Sequence, residues 1–393
     1  MPTIQTQLQD TVEFSPDEDF EQFLRRIPAK SAVYLMADAA DQPIQLLYVR
    51  NLRNSLKRRL GGNEAPGPTR QVNYRDLVRR IRWRRVDSAF EADWIYYEAA
   101  RELFPKSYKG MVGFRPAWFI HVDPDAIFPR FTKCIGLTAR GGMFLGPVED
   151  KHAAARLIEL LEDAFDLCRF HNILLEAPHG KPCAYKEMGK CPAPCDGSIT
   201  MGQYRLMIEW SLRVLMQPAP FIEEHTHRMQ QAAGELRFES AAKIKAFIGR
   251  LLELGKGAFR HVRPLSGFRY VCLQRGPGEK TAKVFLITPG QIEEVFGLIA
   301  EPAHLLEWLA EVTADFEKLN TGDELPLSEF GTDRIGVVTR HLFMAKHTAG
   351  VFLRSDGMDN RTLLKAFCDL QKQKQKVQEV GDEEGLVKEL QTL

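Results

Sequence analysis

Apolar positions in the first 120 residues fall in short runs broken by polar turns. A polar lead-in over residues 1–28 turns helical at Asp17 to Arg26. Ser31 to Met36 has strand character, Ala37 to Pro43 is turn-like, and Ile44 to Val49 predicts a second strand. Leu52, Leu56 and Leu60 recur every fourth residue, which suits one face of a helix over 51–60. Gly61 to Pro68 is a loop, and Asp93 to Phe104 predicts a helix that stops before Pro105. This β-β-α-β-α order describes a small α/β module over 29–121.

Further along, Ala117 to Val122 is strand-like and leads towards a turn at Gly146-Pro147. Ala153, Leu157, Leu160, Leu161 and Phe165 make Lys151 to Phe165 an amphipathic helix. Cys168 to Asp196 is rich in Pro, Gly and Cys, without periodicity, inside a linking region over 122–217. Helix returns at Tyr204 to Leu215. Phe221 to Leu254 predicts two helices interrupted near Gly234 or Leu236, a hairpin within 218–256. Strict alternation follows, with Phe268, Tyr270 and Cys272, the Gly276-Pro-Gly278 turn, then Ala282, Val284 and Leu286. Helix is expected around Ile292 to Phe316, and the polar end from Gln371 is helical or frayed, which makes 257–393 an α+β region. The fold class is therefore α/β, with a small α/β domain, a loop-rich cysteine region, a helical hairpin and a C-terminal α+β domain.

Composition narrows the field. Among 393 residues, 44% are hydrophobic and 27% charged, ordinary values for a globular chain. No apolar run approaches the ~18–20 residues that span a bilayer, and the polar, acidic start lacks a secretory h-region. A cytoplasmic, non-membrane protein is expected.

The net charge of +1 hides a local imbalance. Arg50, Arg53, Lys57, Arg58, Arg59, Arg70, Arg75, Arg79, Arg80, Arg82, Arg84 and Arg85 are opposed within that segment only by Glu64 and Asp76. Arginine favours bidentate phosphate contacts, and Tyr74 and Trp83 lie where they could stack on bases. A solvated face balanced by distant acids is the alternative. Four of the seven cysteines cluster at Cys168, Cys183, Cys191 and Cys195, the last three spaced C-x7-C-x3-C. Thiolates in a loop-rich segment suggest a metal site, either tetrahedral zinc or an iron–sulfur cluster, with four reduced structural thiols as the alternative. The lack of C-x2-C pairs favours a cluster. Cys134, Cys272 and Cys368 are isolated and read as small apolar residues.

These motifs lie in an order that resembles UvrC, the nuclease subunit of bacterial nucleotide excision repair. Pro182 to Cys195 resembles that family's P-C-x-x-Y-x-I-x-R-C-x-A-P-C stretch, with Tyr185 one place early. Leu236, Phe238, Glu239, Ala241 and Ala242 match the L-x-F-E-x-A-A core of its UVR motif. Ala32-Val-Tyr34 is similar to the start of a GIY-YIG nuclease domain, and Phe144-Leu-Gly-Pro147 to the F-G-P that follows it. The resemblance covers roughly 30–255, with a weaker echo in 268–290.

The resemblance implies a GIY-YIG-like fold whose reacting positions are mostly replaced. Asn51, Leu52, Arg53 and Leu56 anchor the alignment, which puts Gln45 at the second tyrosine, Tyr48 at the lysine and Ser55 at the phosphate-contacting arginine. Glu91-Ala92 and Pro105 put Tyr96 at the metal-binding glutamate, and only Tyr34 is retained. Losing ligand, tyrosine and arginine together removes metal-assisted hydrolysis. The expectation is a nuclease-deficient repair protein that binds DNA through Arg50, Arg53, Lys57, Arg58 and Arg59. It would carry a four-cysteine cluster, 4Fe–4S in preference to zinc, and dock a UvrB-like partner through the UVR-like hairpin. Replacing Phe238 by Asp is expected to destabilise that hairpin through charge burial. One alternative is an active structure-specific endonuclease using Tyr34, Tyr48 and Glu98 with magnesium or manganese. Another is a protein-interaction module without DNA binding.

Overall fold

The structure is a computed structural model that describes residues 8–61, 73–278, 281–299, 327–344, 350–356 and 358–372. Among the described residues, three four-stranded sheets follow one another along the chain, and every strand pair is antiparallel. The expected loop over Gly61 to Pro68, Arg70 of the basic set and the polar end from 373 lie mostly or wholly outside the described residues.

The first sheet has the order β1-β4-β2-β3, built from β1 (Asp10–Glu13), β2 (Ala32–Ala37), β3 (Pro43–Val49) and β4 (Arg80–Arg85). β1 lies where the sequence showed no strand, and β4 supplies the third strand of the expected β-β-α-β-α order. β1, inside the lead-in, pairs Val12 with Ile81. β4 is the core of the arginine run, with Ile81 and Trp83 buried and Arg80, Arg82 and Arg84 on the opposite side. The Leu52–Leu60 helix, capped by Asn51, covers the face that carries Ala32, Tyr34 and Met36. The Ala89–Leu103 helix, capped by Ser88 before its expected start, packs on the face that carries Val33, Leu35 and Leu46.

The second sheet, of order β6-β5-β7-β8, comprises β5 (Trp118–Val122), β6 (Thr132–Cys134), β7 (Met143–Val148) and β8 (Arg263–Pro264). Trp118–Val122 thus belongs with the middle of the chain, and Gly146-Pro147 lies within a strand, where Gly146 pairs with Arg263. The Lys151–Ala164 and Met201–Met216 helices complete its core, with Leu157, Leu161, Ile208 and Leu212 buried.

The third sheet, of order β11-β10-β9-β12, comprises β9 (Tyr270–Arg275), β10 (Ala282–Thr288), β11 (Gln291–Ile299) and β12 (Val351–Arg354). β9 and β10 form the expected hairpin. The helix expected from Ile292 begins instead as β11, which pairs with β10, and its remainder lies outside the described residues. The Glu329–Phe343 helix covers one face and Asn360–Lys372 the other. The Ala89–Leu103 helix is shared between sheets: Phe90 meets Phe285 at 5.3 Å and Phe352 at 5.5 Å, and Trp94 meets Phe285 at 5.7 Å.

Candidate nucleic-acid interface and cysteine site

The register of the β2–β3 hairpin decides which candidate residues can meet. Tyr34 lies opposite Leu47 and Val33 opposite Tyr48, so alternation sends the two tyrosines to opposite faces. Tyr34 is fully buried beneath the Leu52–Leu60 helix, its hydroxyl 3.0 Å from Ser55 Oγ. Burial raises its pKa against the opposing pull of Arg59 and Arg58. Arg59 lies one turn beyond Ser55 on the same helix; its guanidinium reaches Gln45 Oε1 at 3.5 Å and lies 5.9 Å from the Tyr74 ring. The charged groups that act most on the Tyr34 hydroxyl are the cations Arg59 and Arg58.

The carboxylates lie across the sheet. Tyr96, at the expected glutamate position, approaches the Leu46 carbonyl at 3.5 Å. Glu98 is buried in a clamp, with Arg334 at 2.6 and 3.1 Å and Arg101 at 2.9 Å. Tyr48 is 38% exposed; partial burial raises its pKa, with Arg50 opposing and Asp93 and Glu91 adding to the rise. Tyr34, Tyr48 and Glu98 are therefore not brought together, and this donor set does not fit a divalent metal. Among the described residues, no three His, Cys, Asp or Glu side chains are grouped to hold a metal ion.

The basic set divides in two. Arg75 donates to the Leu60 and Pro16 carbonyls, Arg80 pairs with Glu13 and Asp41, and Arg82 pairs with Asp41. Arg84 pairs with Glu294, 210 residues away, and Arg53 donates to the Ile27 carbonyl at 2.8 Å. Part of the excess that looked unopposed along the sequence, at Arg80, Arg82 and Arg84, is neutralised by acids the fold imports. Trp83, at 7% exposure, is a core residue and cannot stack on a base. Arg50, Lys57 and Arg58 remain exposed, with Lys57 3.5 Å from Glu21.

In the loop-rich segment, Cys191 and Cys195 are buried and Cys168 and Cys183 half-buried. Cys168 and Cys191 share a hydrogen bond, which lowers the Cys191 thiol to about 6 and raises Cys168; Cys195 lies close enough to feel Cys191. One sulfur pair is thus in contact, with the third thiol nearby but not grouped with it. Cys183 caps the short Ala184–Glu187 helix, and Lys186 in that helix bonds Asp196, next to Cys195. Arg169 bonds the Lys190 carbonyl at 3.0 Å, with its guanidinium 4.3 Å from the Tyr185 ring. Soft thiols in a braced loop fit the chemistry of a thiolate-held group.

The helical hairpin consists of Pro218–Gly234 and Phe238–Glu253. Its base is anchored: Ile248 and Leu251 are buried, and Phe247 lies 6.3 Å from Trp210 in a stacked arrangement. Its tip is bare. Leu236 is 73% exposed with φ of +59°, and Phe238 is 64% exposed. Glu239 and Ala242 are exposed and Ala241 half-buried. Since Phe238 is not in a core, Phe238→Asp buries no charge, and the expected destabilisation is corrected.

Sequence reasoning missed Arg59 as the partner of Tyr34; its i+4 spacing from Ser55 was the available signal. Comparison with known proteins fits this picture. Residues 117–213 match the family described as UvrC/Cho excinuclease, middle domain. The chain is 26% identical over 221 residues to UvrABC system protein C of Trichlorobacter lovleyi, covering 56% of this chain and 36% of that protein. It is 24% identical over 277 residues to UvrABC system protein C of Clostridium botulinum, covering 70% of this chain and 44% of that protein. The chain thus spans less than half the length of these curated relatives. No solved structure matches. The chain is UvrC-like.

Proposed function

We propose that this UvrC-like chain acts in nucleotide excision repair as a DNA-binding, partner-docking protein that does not cut. The observation that carries the reading is the split across the first sheet: Tyr34 lies with Lys57, Arg58 and Arg59 of the Leu52–Leu60 helix on one side, whereas Glu98, Glu91 and Asp93 lie with Tyr48 and Arg50 on the other. Binding a phosphate backbone needs only the cations, whereas hydrolysis also needs a metal ligand beside the phenol. Lys57, Arg58 and Arg50 supply exposed charge, and Arg59 sits behind them against Tyr34 and Gln45. The bare Leu236–Phe238 tip supports docking of a UvrB-like partner. Cys168, Cys183, Cys191 and Cys195 would hold an iron–sulfur cluster that braces a segment with little core of its own.

The reading without DNA binding draws on the neutralised arginines Arg80, Arg82 and Arg84, so salt dependence separates the two. The full chain should bind a fluorescent duplex with affinity that falls steeply with salt, and should leave a nicked or lesion-bearing duplex uncut with magnesium or manganese. A Lys57→Ala, Arg58→Ala double variant should lower the slope of log affinity against log salt by about 2. Salt-insensitive failure to bind would favour the interaction module, and metal-dependent incision the nuclease. Anaerobic preparation should give a brown protein whose colour is lost in Cys191→Ala; stoichiometric zinc would refute the cluster.

A further inference from the structure

A cleft of about 390 Å³ opens where the three sheets' surroundings meet. The short Tyr108–Met111 helix and the loop to β5 form one wall, the loop after β6 a second, and the start of the Glu329–Phe343 helix a third. Its size suits a small molecule, and junctions between modules are common places for such sites. The walls are mostly apolar, from Val112, Phe114, Pro116 and Ile135, with the Tyr108 ring beside them.

One polar group stands out on this lining. Asp333 is only 9% exposed, and its Oδ2 accepts a hydrogen bond from Tyr108 at 3.0 Å; Tyr97, 3.4 Å away, shares its proton between this oxygen and the Phe330 carbonyl, also at 3.4 Å. Oδ1 takes part in neither bond. Both phenols are pushed above their ordinary pKa, by burial first, and so remain donors that fix the carboxylate's orientation. Thr332 is committed elsewhere, its hydroxyl bonding the Ser328 carbonyl at 3.2 Å. At the exposed rim, Lys109 pairs with Glu329, which leaves the lining with one net negative charge.

These features select a ligand by elimination. An anion would meet Asp333 and Glu329. A wholly apolar guest would strip water from the carboxylate and return nothing. A compact cation with a flat or apolar body satisfies both the acid and the walls, and the faces of Tyr108 and Phe114 attract positive charge. We propose that this cleft is a binding site for small organic cations of the amidine or amine class, with Asp333 as their counter-ion. Nothing in this proposal depends on DNA binding or on the cysteine site.

The test uses the full chain and p-aminobenzamidine, followed by calorimetry, with neutral 4-aminobenzamide as the uncharged isostere. Saturable binding is expected for the amidine, at least about tenfold tighter than for the amide. Asp333→Asn, which keeps an acceptor for Tyr108, should weaken amidine binding by at least about tenfold. Gly136→Leu is the second variant: a Cβ there meets only Thr138 Oγ1, at 3.9 Å, so the first carbon of a side chain is accepted at this point of the lining. It should block binding even if Asp333→Asn fails to fold. No saturable binding, equal binding of amide and amidine, or wild-type affinity in Gly136→Leu would each overturn the proposal.

Discussion

Glu162 occupies the last turn of the Lys151–Ala164 helix, where the backbone dipole already presents negative charge. Burial lifts its pKa from 4.5 to about 7, with Arg169 opposing. Because the folded value lies above the unfolded one, folding favours the protonated form. The associated stability is fully present below about pH 4.5 and is lost as pH rises through about 7. Glu162→Gln should therefore match the parent near pH 4 and exceed it by about 1 kcal/mol at pH 8, solvent screening of a half-buried group cutting the full shift, read by urea denaturation at both values. An unchanged difference across that range would contradict the assignment. Little of this was legible in the sequence. Glu162 looks like any surface glutamate on an amphipathic helix, and what changes it is packing that only the fold provides. The Tyr34–Ser55 contact was half legible, since motif spacing located both residues but could not reveal that they touch.

Among the elements, the hairpin is the clearest case of a correct outline with a wrong interior. Its two helices and the break near Leu236 follow from periodicity, but which apolar residues point inwards does not. Ile248 and Leu251 go to the core, whereas Phe238, equally apolar, stays in water. Phe238→Asp should therefore shift stability by no more than about 0.5 kcal/mol, the range for surface changes, while weakening capture of a UvrB-like partner. Thermal melting and a binding titration on the same sample check both halves; a large loss of melting temperature would return Phe238 to a core role. The β4 strand teaches the complementary lesson. The expected order called for a strand in this interval, and Arg-Ile-Arg-Trp-Arg carries its period of two, but the charge drew attention as a cation run and left the strand without bounds. β1 is four residues long and mostly polar, so only its partner identifies it.

Across the whole molecule, a buried ionic network joins the first module to the third sheet. Glu91, with no exposure, accepts from Lys283 at 2.7 Å, and Asp87 meets the same ammonium at 2.8 Å. Arg84 and Glu294 extend the set. Removing one partner leaves a desolvated charge behind, so Glu91→Ala should cost about 3 kcal/mol. Chemical denaturation should read this directly, and a loss below about 1 kcal/mol would show that Asp87 alone suffices for Lys283. Such partners, nearly 200 residues apart, leave no local trace in sequence.

The helix Ala89–Leu103 has a sheet on each flank, and that arrangement bears on how the chain can be dissected. A fragment cut after the first module would carry Phe90 and Trp94 into solvent, stripped of Phe285 and Phe352. Such a truncation is expected to aggregate, whatever its active-site residues. Silence from an excised amino-terminal piece would thus report on severed packing, and grafting fresh catalytic side chains onto this scaffold calls for the uncut polypeptide.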